Sequence, residues 1–259
     1  MNYPGVMAKN GAELIESFAR SVAAWDINAQ LGVTIEAVDC RFRTVELADG
    51  RTFTGDALFI ATGVRRRRLG VPGESKFQGK GILNSGAGEK ENVKGKRVVV
   101  VGGGDAAAEN ALLLSPFAEK VLLVHRRANL TARTAFQERI AATPNIELII
   151  DSEIVEIGGA DRVEWVEIIS RSDDSRSRID TDHFIARIGV TPNTEFVSSQ
   201  LECKKGYLVV DSLCRTGVEG IYGIGDVANP ISPTIPTAVG AGATAAKDWA
   251  ARRNLNVEL

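Results

Sequence analysis

The chain has 259 residues, enough for one large domain or two ordinary domains, each with a hydrophobic core. Its composition, 44% apolar and 25% charged, is typical of a globular protein and argues against intrinsic disorder. The 31 Lys and Arg residues nearly balance the 33 Asp and Glu residues, which argues against nucleic acid as the main partner. No apolar run approaches the length that spans a bilayer, and no signal-peptide pattern is evident, so we expect a cytoplasmic protein without a membrane partner.

The first part of the chain has the pattern of one helix followed by short strands. Apolar residues recur at helical spacing over residues 11–28. Strands are predicted at 33–38, 43–47, 51–54 and 57–60, and a hairpin turn at Asp49-Gly50 joins the second to the third. The last strand runs into Ala61-Thr62-Gly63. Four arginines, 65–68, then lead into a glycine- and proline-containing loop.

A strand, a glycine turn and a helix follow one another at residues 97–109. Four consecutive valines form the buried strand, and Gly102-Gly103-Gly104-Asp105-Ala106-Ala107 begins the helix. Gly102 permits the tight turn, Gly104 lets the backbone approach a pyrophosphate, and Ala107 keeps the helix close to the sheet. The helix N-terminus offers free N–H groups and partial positive charge to phosphates. This stretch is predicted to bind the pyrophosphate of a dinucleotide.

The next predicted strand, 120–124, ends in His125-Arg126-Arg127. An NAD site usually has an acidic residue here for the ribose 2′-hydroxyl, whereas a basic residue accommodates a 2′-phosphate. Solvated arginines at a strand end are the alternative interpretation. The correct offset from Gly102 favours an NADP(H) site.

The rest of the chain alternates strands with few helices. A helix is predicted near 132–142, and Gly225-Asp226 follows a strand near the end of the chain. The segments 184–189 and 59–63 have similar compositions and both end at a glycine, which would suit paired crossings between two domains. The other predicted elements are strands at 146–150, 152–157, 162–170, 177–180 and 206–210 and a small-residue helix at 237–253.

The three cysteines, Cys40, Cys203 and Cys214, are widely spaced and form no Cys-x-x-Cys motif. Because His125 and His183 are the only histidines, a metal site is not expected. Cys203 and Cys214 flank a predicted hairpin. The two side chains either lie in contact with each other or, as we favour, remain isolated thiols.

Together these segments resemble the low-molecular-weight thioredoxin reductase branch of the pyridine nucleotide–disulfide oxidoreductases. Asn2-Tyr3-Pro4-Gly5 resembles the family's flavin-side loop, and Thr62-Gly63 resembles its strand end at the domain crossing. The glycine stretch at 102–107 resembles its NADPH fingerprint, and His125-Arg126-Arg127 its 2′-phosphate clamp. Gly225-Asp226 resembles the element that binds the ribityl chain of FAD.

The resemblance implies an α/β fold of two nucleotide-binding, Rossmann-like, three-layer domains, with FAD and NADP(H) as cofactors and a homodimer as the assembly. An NADP(H)-binding domain at 68–189 would be inserted in a FAD-binding domain at 1–67 plus 190–259. The family begins with a further strand–glycine turn–helix that binds the ADP half of FAD, and this chain starts after it. The FAD domain is therefore expected to be partial. The sequence is either a fragment, as we favour, or a protein that has lost part of its flavin cradle.

The sequence departs from the family pattern around the redox centre. Ser85 and Gly88 occupy the positions of the family's two redox cysteines, and a hydroxyl cannot exchange with a disulfide. Glu89 occupies the position of the family's acid and is predicted to donate protons near a flavin, with an exposed loop carboxylate as the alternative. Ile235 and Pro236 lie where the family contacts the flavin. Arg133 is a displaced clamp arginine, with Thr131 at the expected position.

The predicted function is an NADPH-dependent FAD oxidoreductase that passes electrons to an acceptor by a route other than a dithiol relay. The acceptor would be a small redox protein such as ferredoxin or flavodoxin, a quinone, or a small disulfide. The four arginines at 65–68 would steer an acidic carrier protein or form a solvated loop. The alternatives are a truncated, non-catalytic NADP(H)-binding remnant or regulatory module, and a separate chain that supplies the missing half.

Overall fold

The structure is a computed structural model that describes residues 6–8, 11–25 and 27–253. The chain forms two compact units, one built from residues up to Arg65 and from Thr191 onward, the other from Arg66–Val190. The second unit is therefore an insertion in the first. The domain boundaries expected from the resemblance, at 67/68 and 189/190, lie one or two residues from the observed boundaries.

The N-terminal segment of the first unit contains one helix and a three-stranded antiparallel sheet, β1-β2-β3. Gly50, with φ of 84°, makes the predicted hairpin turn between β2 and β3. The helix ends at Ala24, four residues before the predicted end at Asn28, since Ile27 and Asn28 favour the helix less than alanine does. The elements are α1 (Gly11–Ala24), β1 (Ile35–Asp39), β2 (Thr44–Leu47), β3 (Thr52–Thr54), β4 (Leu58–Ile60) and β5 (Val64–Arg66).

The inserted unit has three layers, as expected. A parallel sheet in the order β12-β6-β7-β8 lies in the middle, and an antiparallel sheet in the order β11-β10-β9 covers one face. The elements are α2 (Gly86–Glu89), β6 (Arg97–Val101), α3 (Asp105–Leu114), β7 (Lys120–Val124), α4 (Thr134–Ala141), β8 (Ile146–Ile149), β9 (Ser152–Gly158), β10 (Trp165–Ser170), β11 (Arg176–Asp180) and β12 (His183–Ala186).

The valines of β6 explain the layering, since successive side chains of a strand point to opposite faces. Val98 and Val100 pack in a core cluster with α3 and α4, which contribute Ala107, Leu114 and Ile140. Val99 and Val101 pack in a second cluster with residues of β9 and β10. Both faces of the parallel sheet are thus covered, which is the usual condition for such a sheet.

The C-terminal segment completes the first unit. Its strand β16 pairs in parallel with β4, with Tyr222 opposite Phe59, and the two rings stack with centroids 4.9 Å apart. A 3-10 turn at Gly225–Val227 then precedes the last helix. The elements are β13 (Val190–Pro192), β14 (Cys203–Lys204), β15 (Tyr207–Leu208), β16 (Ile221–Gly223) and α5 (Ile235–Arg252).

The strands in the segments 59–63 and 184–189 pair within their own units, and the boundaries between the units follow each segment closely. β4 pairs with β16, and β12 pairs with β6 inside the inserted unit. The strands at the boundaries are β5 and β13, which follow Gly63 and Gly189 and pair with each other. Both glycines have positive φ, 63° and 100°, so the chain changes direction there and a new strand begins.

The last helix is fixed to its own unit by a polar cluster. Arg215 pairs with Asp248 through two nitrogens, and its Nε lies 2.8 Å from Asp248 Oδ2. Tyr222 donates its hydroxyl proton to the same oxygen at 2.8 Å. No helix in the described ranges has the length and hydropathy needed to cross a membrane.

Candidate functional site

The glycine turn at the end of β6 is shaped by contacts that only glycine allows. Gly102 has φ of 143°, and a Cβ there would overlap the carbonyl oxygen of Arg187. A Cβ on Gly103 would overlap the ring of His125. A Cβ on Gly104 would meet only Thr131 Oγ1, at 3.8 Å. The first two glycines are therefore required for packing, whereas Gly104 leaves its backbone open to a ligand.

Helix α3 begins at this turn without a side-chain cap. Gly104 is the N-cap residue and makes no capping hydrogen bond. The first N–H groups of a helix have no partner within the helix, and together with the helix dipole they form an anion site. The 3.8 Å clearance at Gly104 and the uncapped helix therefore fit the pyrophosphate of a dinucleotide.

The rest of the predicted fingerprint packs around this turn. Ala107 is fully buried, which brings α3 close to the sheet. Asp105 accepts the backbone N–H of Arg133 at 2.8 Å and forms an ion pair with Arg133 Nε at 2.7 Å. The Arg133 guanidinium also lies over the Phe136 ring, 4.9 Å from its centroid. The Arg133 side chain thus contacts Asp105 at the start of α3 and Phe136 in the first turn of α4.

Thr131 supports the turn and was not predicted to do so. Its backbone N–H and hydroxyl both donate to the carbonyl oxygen of Gly103, at 2.7 and 3.2 Å. No local pattern predicts this contact, because it depends on the path of the loop after β7.

His125 is buried beneath the glycine turn. Its ring packs against Gly103, and Nε2 lies 3.1 Å from the carbonyl oxygen of Asn129. Burial lowers the pKa of His125, with Arg127 and Arg126 adding to the effect. The ring is therefore neutral at pH 7, and its position supports a packing role more than a charged contact to phosphate.

Arg126 and Arg127 are exposed and line one open cleft of about 490 Å³. The other residues of the cleft are Ala128, Asp151 and Arg171. The structure therefore brings two of the predicted clamp residues together and adds an arginine that sequence reasoning missed. The backbone N–H of His125 donates to Ile149 at 2.8 Å, so the end of β7 is held to β8 at this cleft.

The segment predicted to occupy the family's redox position is a short capped helix. Ser85 Oγ accepts the N–H of Gly88 at 3.1 Å. Glu89 Oε2 accepts the N–H groups of Asn84 and Ser85, both at 2.8 Å. Ser85 thus caps the start of the helix, and the Glu89 carboxylate, one residue beyond the usual capping-box position, accepts from the N-cap backbone. The Glu89 carboxylate therefore has backbone hydrogen-bond partners, and its role as a proton donor stays a prediction.

A buried arginine holds this segment to the end of β12. Arg187 is 8% exposed and donates to the carbonyl oxygens of Asn84, at 3.1 Å, and Ala186, at 2.8 Å. Burial lowers its pKa to about 10. The guanidinium is therefore still charged at pH 7.

The cysteines lie elsewhere. All three are free, and Cys40 is buried. Burial raises the pKa of each thiol. In the described ranges no group of three or more His, Cys, Asp or Glu side chains is arranged to hold a metal ion.

The residues predicted to face the flavin lie in the first unit. Thr62 donates its hydroxyl proton to the Asn193 carbonyl at 2.7 Å, and Asn193 Nδ2 donates to the Thr62 carbonyl at 2.8 Å. The N–H of Asn193 donates to Gly63 at 3.0 Å. Asn193, which sequence reasoning did not single out, thus fixes both predicted residues. The predicted loop at Asn2–Gly5 lies outside the described residues.

Gly225 and Asp226 form a 3-10 turn in front of α5. Gly225 has φ of 70°, and a Cβ there would lie 3.3 Å from Ala238 Cβ. The half-buried Asp226 carboxylate has no hydrogen-bond or ion-pair partner among the described side chains. A free carboxylate beside a helix rich in Gly and Ala fits a hydroxyl-bearing chain such as the ribityl group. Ile235 and Pro236 are the first two residues of α5, and Thr234 caps that helix.

Comparison with known proteins identifies the family. Residues 6–244 match the pyridine nucleotide-disulphide oxidoreductase family. Thioredoxin reductase of Dictyostelium discoideum is 34% identical over 261 residues, which cover 95% of this chain and 80% of that protein. The structure of Lactococcus lactis thioredoxin reductase in its FR conformation matches with a TM-score of 0.79 at 30% identity, covering 95% of this chain and 82% of that one.

A more distant match shares the fold alone. The structure of the covalent putidaredoxin reductase–putidaredoxin complex matches with a TM-score of 0.74 at 23% identity, covering 89% of this chain and 60% of that one. FAD and NADPH are the cofactors of the thioredoxin reductase family. The chain belongs to the pyridine nucleotide–disulphide oxidoreductases and is a thioredoxin reductase-like, NAD(P)H-dependent flavoprotein oxidoreductase.

Proposed function

We propose that this protein oxidises NADPH through FAD and delivers the electrons to an acceptor without a dithiol relay of its own. The observation that carries the proposal is the capped segment at 85–89. Ser85 Oγ and Glu89 Oε2 use their oxygens to close a helical turn at the position where the family has its redox cysteines. Thiol–disulfide exchange requires a thiolate, and this segment contains none.

Residues of the inserted unit would hold NADPH. The open backbone at Gly104 and the uncapped start of α3 would take the pyrophosphate, and Arg126 and Arg127 the 2′-phosphate. The first unit would hold FAD, with the free Asp226 carboxylate accepting hydrogen bonds from ribityl hydroxyls. The small residues of α5 would allow close approach of the cofactor. FAD, when bound, supplies the hydride-accepting ring system.

The acceptor would meet the flavin directly. Without a dithiol, three acceptor classes remain: a small redox protein such as ferredoxin or flavodoxin, a quinone, and a small disulfide. The putidaredoxin reductase fold match involves a reductase captured with a small redox protein, and this favours the first class. We also propose the homodimer that the family resemblance implies and the cytoplasmic location expected from the sequence.

The arginines at 65–68 give limited support to an acidic carrier protein. Arg65 pairs with Glu195 and donates to Asn193 Oδ1, and Arg67 donates to the Val190 carbonyl. Arg66 and Arg68 are exposed without such partners in the described structure. Two free cations in an exposed segment contribute to association rate more than to affinity.

The first experiment is an absorbance spectrum of the purified protein with added FAD, before and after anaerobic addition of NADPH. Bleaching of the flavin bands is the expected result. The bleached protein is then mixed separately with ferredoxin, a quinone, a chromogenic small disulfide, and oxidised thioredoxin alone. Re-oxidation by thioredoxin at the rate of the other acceptors would contradict the proposal.

The second candidate function is an NADP(H)-binding module without flavin chemistry. It is favoured by one observation: the strand–glycine turn–helix occurs once in the described part of the chain, at residues 97–114. Retention of NADPH binding together with failure to bind FAD in the same titration would select this function.

A further inference from the structure

A third arginine, Arg171, lies in the cleft of Arg126 and Arg127, although it belongs to the turn between β10 and β11. We propose that Arg171 is a cationic ligand of the NADP(H) 2′-phosphate and thereby helps to set the preference for NADPH over NADH. The inference rests on the NADP(H) site proposed above. It extends that site to a hairpin outside the strand–turn–helix that carries the glycine fingerprint.

Backbone hydrogen bonds fix the position of Arg171 relative to the two predicted arginines. The N–H of Asp151 donates to the Arg127 carbonyl at 3.3 Å, and the N–H of Arg171 donates to the Asp151 carbonyl at 2.7 Å. Asp151 has φ of 47°, an uncommon conformation for a residue other than glycine, at the corner between β8 and β9. Asp151 at this corner is therefore hydrogen-bonded to both residue 127 and residue 171.

The charges of the cleft suit a dianion. Three arginines line it, and Asp151 is the one acidic residue among its lining residues. The Arg171 side chain forms an ion pair with Glu153 through Nη1. Because a guanidinium has five N–H donors in a planar fork, this pair holds the group and leaves donors for phosphate oxygens.

The other arginine considered for the clamp does not line this cleft. Arg133 forms its ion pair with Asp105 and stacks on Phe136. Thr131, at the position where the family has a clamp arginine, donates its hydroxyl to Gly103. Arg171 is thus the third cation that the structure places in the cleft.

The test is a calorimetric titration with 2′,5′-ADP, which carries the 2′-phosphate, and with 5′-ADP, which lacks it. Arg171→Ala is expected to weaken 2′,5′-ADP about tenfold or more, the usual effect of losing a charge-assisted hydrogen bond. Binding of 5′-ADP is expected to change less than twofold. Glu153→Gln removes the competing carboxylate and is expected to tighten 2′,5′-ADP.

Arg176→Ala is the matched control. Arg176 lies in the same hairpin and pairs with Glu167 at 3.0 Å, but it does not line the cleft. The Arg171 and Glu153 side chains are 55% and 38% exposed, so their pair adds little to stability and the variants should fold. Thermal unfolding of each variant verifies this.

The outcomes separate the inference from the function on which it rests. If wild-type protein binds 2′,5′-ADP no better than 5′-ADP, the NADP(H) site itself is wrong. If wild type prefers 2′,5′-ADP, but Arg171→Ala matches Arg176→Ala or weakens both ligands equally, Arg171 has no role in recognising the 2′-phosphate. A selective loss confined to 2′,5′-ADP establishes the proposal.

Discussion

Glu89 Oε2 accepts the backbone N–H of Ser85 at 2.8 Å, while Ser85 Oγ accepts the N–H of Gly88 at 3.1 Å. The segment predicted to occupy the family's redox position is therefore held as a capped turn. We expect Glu89→Ala to lower the free energy of unfolding by about 1 kcal/mol, as the loss of a cap does. Glu89→Gln keeps an accepting oxygen and should keep most of that stability.

The same pair of variants tests proton donation by Glu89. Flavin reduction by NADPH and turnover with a quinone are measured for both by stopped-flow absorbance. We expect Glu89→Gln to keep the wild-type turnover. A large loss of turnover in Glu89→Gln with unchanged unfolding would establish a catalytic carboxyl group instead.

The thiols should be dispensable. Cys203 and Cys214 are partly exposed, and burial raises the pKa of both, so little thiolate is present at pH 7. We expect NADPH oxidation with a quinone acceptor to be the same for wild type and for the double variant Cys203→Ser/Cys214→Ser. Alkylation of the wild type after reduction by NADPH is the companion measurement, and inactivation that the double variant escapes would contradict this expectation.

Gly103 and Gly104 should respond differently to alanine. Gly103→Ala places a methyl group into the His125 ring, so we expect loss of stability by thermal unfolding. Gly104→Ala meets only Thr131 Oγ1 at 3.8 Å, so the fold should be retained while NADPH binding weakens at least tenfold. Calorimetric titration measures the binding. If Gly104→Ala binds NADPH with wild-type affinity, the pyrophosphate does not bind at this turn.

Arg126→Ala/Arg127→Ala should weaken NADPH far more than NADH. Only NADPH carries the 2′-phosphate, and each charge-assisted hydrogen bond contributes about 1.5–3 kcal/mol. Affinities for both nucleotides are compared by fluorescence titration. Equal losses for both nucleotides would mean that the two arginines do not recognise the 2′-phosphate.

Asp248 should make stability depend on acid pH. Its hydrogen bonds from Arg215 and then Tyr222 lower the pKa of the carboxyl to about 2. A depressed carboxyl pKa stabilises the fold above the unfolded value of about 3.9, and the contribution is lost as pH falls toward 2. Asp248→Asn should therefore be less stable than wild type at pH 7, with a difference that shrinks below about pH 4.

Urea unfolding across this pH range measures the effect. Asp56→Asn is the control, since Asp56 pairs with Arg253 at 3.3 Å while its side chain is 85% exposed. That variant should be close to wild type at every pH. A constant difference between Asp248→Asn and wild type would contradict the pKa assignment.

The strand, turn and helix of the inserted unit were predictable because neighbouring residues in the sequence determine them. Four valines, three glycines and an alanine-rich helix specify a strand, turn and helix whatever the surroundings. The hairpin at Asp49-Gly50 was predictable for the same reason. The pairing of β5 with β13 was not predictable, because it joins segments far apart in sequence and one of them reads as a basic loop.

The site shows the same division. The glycine turn and the arginines after β7 follow from spacing alone. Thr131, Asn193 and Arg171 depend on where loops return, so neither composition nor period marks them. His125 was predicted as part of a charged clamp, but its burial under Gly103 is a property of the packed turn.

The contact between His125 and Gly103 has a consequence for ligand binding. His125 is bonded covalently to Arg126, and its ring rests on the turn that would hold the pyrophosphate. The ring therefore couples the turn that would hold the pyrophosphate to the arginines that would hold the 2′-phosphate. A substitution that moves the ring would disturb both proposed phosphate sites together.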